Sequence, residues 1–191
     1  MIPELNQSGV LPPFIPEYGP TDSAGMAPYQ TTILEFVQRY SQSNERVEIL
    51  KGLLAYREQL RNIGVTDGFH WIDGSFVENI EENQGRPPSD IDLVTFAFRP
   101  AENHDQAKWK AFVNQNKEIF TPELSKDKFI CDAYYVDLSI HPVHIVNSTK
   151  YWFGLFSHQR DSYLWKGMVE IPILCNDDEA KVFIEQGVNN A

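Results

Sequence analysis

Two aspartates one residue apart, Asp90 and Asp92, stand at the head of an apolar run, Ser89-Asp90-Ile91-Asp92-Leu93-Val94. On an extended chain, side chains two positions apart share a face. The two carboxylates therefore point together, while Ile91 points the other way, into a core. Like charges held so close repel unless a cation neutralises them, and the usual neutraliser among carboxylate and phosphate oxygens is a hard divalent ion such as Mg²⁺. Upstream, Gly74-Ser75 follows the aromatic run Phe69-His70-Trp71-Ile72, with fifteen residues between Ser75 and Asp90 in the numbering. A turn of this kind, opening toward a helix, offers backbone N–H groups and the Ser75 hydroxyl to a phosphate chain. Taken singly, a Gly-Ser pair is usually only a turn and an Asp-x-Asp pair usually a solvated strand end. In this order and at this spacing they point together to phosphate and metal chemistry.

Two further acids on the next expected strand, Asp132 and Asp137, are candidates to join Asp90 and Asp92. They differ by an odd number, so on one strand they face opposite sides. A helix expected over 104–120 connects the Asp90 strand to the next, and a helical crossover makes two strands parallel. Asp90 and Asp92 open their strand, so a parallel neighbour supplies its acid near its own start. Asp132 lies there, while Asp137 is about 17 Å further on at ~3.3 Å per residue. Topology thus favours Asp132.

Cations for an anionic substrate are scarce. His158, Arg160 and Lys166 form the basic group of the C-terminal third, read either as surface charge or as a phosphate contact, with Lys166 the candidate ligand. His141 and His144, three apart beside Pro142, lack the partners of a zinc site. Trp109, Trp152 and Trp165 read as core rather than a stacking platform. Cys131 reads as an inert core thiol.

The elements that must position these groups follow from periodicity and punctuation. Residues 1–29 carry six prolines and three glycines and read as an extended arm, packed over the domain by Leu11, Phe14, Ile15 and Tyr18. Residues 30–191 read as one domain. Helices are expected over 31–40 and 43–64, the second capped by Ser43 and buried along Ile49, Leu53, Tyr56, Leu60 and Ile63. Strands are expected over 69–72, 90–98 and 129–140, with 143–146 as a pairing partner of the last and 167–174 as an edge strand because Pro172 sits in it. Further helices are expected over 76–82, 104–120, 151–158 and 176–186. Interleaved helices and strands make this an α/β or α+β fold, a small mixed β-sheet flanked by helices.

Composition bounds the function. The chain has 191 residues and a net charge of −11, from 27 Asp and Glu against 16 Lys and Arg. Such a surface repels phosphate backbones, so nucleic acid is disfavoured and a basic protein is the partner class that the charge would suit. No apolar run approaches the ~18 residues of a membrane span. The start, MIPELNQSGVLPP, lacks a signal peptide's pattern, and two cysteines make no disulfide framework. A cytoplasmic protein is expected.

At these residues the sequence resembles the nucleotidyltransferase fold of the DNA polymerase β-like superfamily, in the manner of its small bacterial minimal nucleotidyltransferases. The resemblance rests on Gly74-Ser75, a loop, and Ser89-Asp90-Ile91-Asp92-Leu93, and spans roughly residues 69–138. The longer stretches from Trp71 to Glu78 and from Arg86 to Val94, with Tyr151-Trp152-Phe153-Gly154 and Trp165-Lys166-Gly167-Met168, are similar to a little-characterised bacterial family of that superfamily. The local Val136-Asp137-Leu138 fits the superfamily's hydrophobic-Asp-hydrophobic pattern slightly better than Asp132 does.

The resemblance implies transfer of a nucleoside monophosphate from an NTP to an acceptor hydroxyl with release of pyrophosphate. It implies Gly74 and Ser75 at the triphosphate, and Asp90, Asp92 and a third carboxylate around two Mg²⁺ (or Mn²⁺) ions. The acceptor class, whether protein, small molecule or nucleotide, is not specified. The loop after Ser75 departs from the commoner arginine-rich version, and Glu78, Glu81 and Glu82 bring acid toward the triphosphate. That departure supports an alternative: a catalytically weak module of the same fold, regulatory or antitoxin-like, that binds a protein. A dehalogenase-type phosphatase is disfavoured, because there the apolar strand precedes the Asp-x-Asp instead of following it.

Overall fold

The computed structural model describes residues 1–160 and 162–188; residues 189–191 of the expected domain lie outside them. Five strands form one mixed sheet in the order β1-β5-β2-β3-β4. They are β1 (Tyr29–Gln30), β2 (Gly68–Asp73), β3 (Ile91–Ala97), β4 (Cys131–Asp137) and β5 (Val169–Pro172). β2 runs antiparallel to both β3 and β5. β3 and β4 are parallel, as the helical crossover between them requires. The expected mixed α/β architecture is thus observed.

Strand alternation divides the core. One face of the sheet carries Ile72, Ile91, Leu93, Cys131 and Ala133 and is covered by helices α1 (Ile33–Tyr40), α2 (Asn44–Asn62), α6 (Pro122–Phe129) and α8 (Asp177–Val188). The other carries Trp71, Val94, Phe96 and Val136 and packs on Trp152 and Phe156 of α7 (Pro142–Phe156). Asp92 and Asp132 alternate with the first set and lie in phase with the second, so they face the α7 side.

Local chemistry sets the helix ends. Thr32 and Glu35 form a reciprocal capping box at α1, and Ser43 Oγ accepts from Arg46 N at α2. Four of the five residues expected along the α2 stripe are buried, Ile63 at its end being half-buried. α2 also carries two fully buried arginines. Arg57 grips Asp177 with two 2.8 Å contacts, joined by Arg61 at 2.7 Å, and so ties α2 to α8. The two guanidinium groups hold the Asp177 carboxyl below its ordinary value against the opposing effect of burial.

Several expected elements are corrected. Residues 143–146 do not pair with β4; they form the first turns of α7, where Pro142 takes the N1 position and His141 Nδ1 accepts from Val143 N. β5 is not an edge strand: β1 pairs alongside Val169 and Glu170, and Pro172 lies beyond the end of β1. The 104–120 helix is interrupted at Asn116, giving α4 (Gln106–Gln115) and α5 (Lys117–Phe120). α6 was not anticipated, although Pro122 at its first turn is a helix-start signal. The 76–82 helix is a 3₁₀ turn at Ser75–Val77 followed by α3 (Ile80–Gln84).

The proline-rich arm lies against the domain. Val10 and Leu11 are buried, Leu11 O accepts from Gly167 N at 2.8 Å, and Gly9 O accepts from Asn79 N at 2.8 Å. Tyr18, expected among its packing residues, is 55% exposed.

Candidate functional site

The end of β2 and the starts of β3 and β4 meet at one end of the sheet. In register, Asp73 is opposite Asp92, and Asp92 is opposite Asp132. Cross-strand partners share a face, so three carboxylates form a row. Asp90, two residues before Asp92, adds a fourth at its edge; Ser89 Oγ donates to its Oδ1 at 2.9 Å. Asp137 lies at the far end of β4, where Arg99 Nε holds it at 2.6 Å and its Oδ1 accepts from Ser139 N. The structure therefore brings Asp132, and not Asp137, beside Asp90 and Asp92.

The Gly74-Ser75 turn closes over this row. Gly74 has φ +80° and ψ −167°, a conformation nearly confined to glycine. A Cβ there would lie 1.9 Å from Asp92 Oδ2. The turn and the Asp-x-Asp strand are thus in contact, and glycine is what permits it.

Below the turn lies a buried ion group. Lys166, 3% exposed, places Nζ 3.0 Å from Asp73 Oδ1 and 2.6 Å from Glu78 Oε1. Burial alone would depress the Lys166 ammonium, but Asp73 and Glu78 together hold it above its ordinary value. Asp73 is so buried that its pKa is pushed up to about 7 despite Lys166. Lys166, expected as a triphosphate contact, is in the cleft wall but is committed to these carboxylates on either side of the Gly74-Ser75 turn. From α2, buried Arg46 reaches the same segment: Nε and Nη2 hold Glu81 at 2.6 and 2.8 Å, while Nη1 and Nη2 donate to Phe76 O and Glu78 O. Sequence reasoning missed Arg46, one of several charged residues, with Glu45, Glu48 and Lys51, in the first turns of α2. Of the acids that the sequence placed near the triphosphate, Glu81 is paired with Arg46, Glu78 shares Lys166 with Asp73, and Glu82 accepts from the neutral Asn79 Nδ2.

A cleft of about 620 Å³ opens over the row, within the range of small-molecule sites. Its lining includes Ser75, Asp90, Asp92 and Asp132 together with His158, Arg160 and Tyr163. Asp92 is raised to about 6, first by burial and then by Asp90 and Asp132. Lys126, on the last turn of α6, forms an ion pair with Asp90 Oδ2. Its ammonium is held above its ordinary value by its bond to Asp90, reinforced by the charges of Asp132 and Asp92.

Oxygen-only donors, mutual repulsion and a shared face fit a hard divalent cation in donor type and charge. Among the described residues, no three His, Cys, Asp or Glu side chains are gathered closely enough to hold a metal ion as they stand. The fit is thus of an open row bridged to an ammonium, not of a preformed cage. His141 and His144 are remote from this row, at the exposed start of α7. No helix among the described residues is long and apolar enough to cross a membrane.

The chain belongs to a family of unknown function, DUF6932, whose family model matches residues 3–172. No curated protein and no solved structure matches it.

Proposed function

We propose that this member of the family is a metal-dependent nucleotidyltransferase, moving a nucleoside monophosphate from an NTP to an acceptor hydroxyl. The observation that carries the reading is the contact between Gly74 and the Asp92 carboxylate. It joins the phosphate-binding turn to the carboxylate row in one cleft, the combination that the reaction needs. A bond forms between the acceptor oxygen and the α-phosphorus as the hydroxyl proton passes to solvent, the bond from that phosphorus to the bridging oxygen breaks, and pyrophosphate leaves with both electrons.

In this reading Asp90, Asp92 and Asp132 hold Mg²⁺ or Mn²⁺. When bound, the metal supplies charge neutralisation at the phosphates and acidifies the acceptor hydroxyl. Ser75 and the backbone of the turn orient the triphosphate. Lys166 and Arg46 fix that turn from below, which keeps the donors in place before substrate arrives. His158 and Arg160, which also line the cleft, offset phosphate charge.

A second reading has its own observation. On α7, Val143, Val146, Tyr151 and Leu155 are exposed, and residues 138–160 contain no Asp or Glu although the chain is strongly acidic. An apolar, acid-free helix face suits a protein-binding module of this fold. Incubation with each labelled NTP and Mg²⁺ or Mn²⁺ tests the leading reading. Pyrophosphate release and a labelled product, both abolished in Asp92→Asn, support it. Absence of turnover together with absence of metal-nucleotide binding rejects it in favour of the binding module.

A further inference from the structure

Lys126 stands among carboxylates that the nucleotidyltransferase reading assigns to a metal, and no step of that reading uses it. The side chain leaves the last turn of α6, is half exposed, and pairs with Asp90, which is itself buried. α6 ends at Ile130, whose left-handed conformation (φ 57°) turns the chain directly into β4. Ile130 N donates to Lys126 O, and Ile130 O accepts from Ile91 N on the neighbouring strand. The same turn thus fixes the Lys126 backbone and the start of β3, so the pairing with Asp90 is built into the fold. The counter-charge at Asp90 is thus a half-exposed ammonium, unlike the buried Lys166 that serves Asp73 at the other end of the row.

We propose that Lys126 is an exchangeable counter-ion of the aspartate row: its ammonium holds Asp90 until a divalent cation displaces it, so Lys126 lowers the affinity of the site for metal. This rests on the assignment of Asp90, Asp92 and Asp132 as metal ligands. The physical reasons are two. A carboxylate oxygen bonded to an ammonium must give up that bond to enter the coordination shell of a metal. A cation left nearby also repels the incoming one. Because the side chain is half exposed, solvent screens the pair and takes over the ammonium when it leaves, so the competition is moderate rather than prohibitive.

The test is Mn²⁺ binding by titration calorimetry on the full chain without nucleotide. Lys126→Met keeps the stem and a good helix former while removing the charge. It is expected to bind Mn²⁺ about three- to fivefold more tightly than the wild type, on the scale of an exposed ion pair. Lys126→Arg, which keeps a cation in reach of Asp90, is expected to stay within about twofold of the wild type on the same scale. Lys128→Met is the control for net charge: Lys128 is on the same helix but pairs with Glu118, and its loss should also change affinity by no more than about twofold, the separated charges being screened. Unchanged or weaker binding in Lys126→Met, with binding still abolished by Asp92→Asn, overturns the proposal and leaves the metal assignment standing. Equal tightening by Lys128→Met overturns it in favour of a general charge effect. Absence of Mn²⁺ binding in the wild type and in Lys126→Met alike overturns the metal assignment and the proposal with it.

Discussion

Replacing Gly74 with alanine sets the geometry of the site against the stability of the fold. The added Cβ would lie 1.9 Å from Asp92 Oδ2 and 2.8 Å from its Cγ, so the turn or the carboxylate must move by more than an ångström. Two costs add. The backbone conformation at φ +80°, ψ −167° costs a non-glycine residue about 1–3 kcal/mol. Forcing Asp92 out of its rotamer costs about 0.5–1.5 kcal/mol more. The expected loss is about 2–4 kcal/mol, or roughly 4–16 °C in Tm for a chain of this length. Gly85 supplies the control: it also has positive φ (+65°), but a Cβ there meets nothing within 4 Å. Gly85→Ala should therefore cost only about 1 kcal/mol, the backbone share alone. Urea unfolding of both variants, with Mn²⁺ titration of each, separates conformation from contact. Equal stability losses in the two, with Mn²⁺ affinity unchanged in Gly74→Ala, would refute the contact between the turn and the carboxylate row.

Asp92, raised to about 6 when folded against an ordinary 3.8, holds its proton longer in the native state than in the unfolded chain. The native state therefore binds more protons between about pH 4 and 6, and stability falls as pH rises through that window. Asp92→Asn should flatten this slope and gain about 1–2 kcal/mol on the wild type between pH 4 and pH 7; a stability difference independent of pH in paired urea titrations would remove the reason. Asp132→Asn should abolish Mn²⁺ binding with little change in stability. Asp137→Asn should do the reverse, losing about 1–3 kcal/mol as buried Arg99 loses its charged partner; calorimetry and urea unfolding of the pair distinguish the two ends of β4. Lys166→Met strands Asp73 and Glu78 in a buried wall and should cost about 3–5 kcal/mol. A loss under about 1 kcal/mol would mean that solvent, not Lys166, neutralises them.

The carboxylate row was legible because its logic is one of period and direction. The two-residue spacing of Asp90 and Asp92, the odd separation of Asp132 and Asp137, and a helical crossover between their strands are properties of the chain itself. α7 was less legible: Val143 to Val146 is β-branched and apolar, so propensity pointed to a strand, while Pro142 at the helix start and the continuing run to Phe156 decided otherwise. α6 was hidden because Pro122–Phe129 is rich in charge, with only Leu124 and Phe129 as large apolar residues and so no period to mark a helix. The arginines were illegible for a different reason. Arg46 and Arg57 are charged residues on helix faces, which usually face water; only the long-range partners Glu81 and Asp177 explain their burial.

Those long-range partners bear on the strongest objection in the sequence to an anionic substrate, the acids that follow Ser75. Charge counted along the chain is not the charge felt in the cleft, because screening in salt limits exposed groups to about 8–10 Å. Within that reach Glu81 is paired with Arg46, and Glu78 shares Lys166 with Asp73, both cations supplied from remote parts of the chain. The cleft lining then mixes the carboxylate row with cations from several elements, Arg86, Lys126, Arg160 and Lys166, besides His158. A uniformly acidic pocket would repel a triphosphate along its whole length. A pocket of mixed charge suits a ligand that carries a divalent cation together with free phosphate oxygens. A metal–nucleotide complex has that character, which is why the net charge of −11 argues against nucleic-acid backbones without arguing against an NTP.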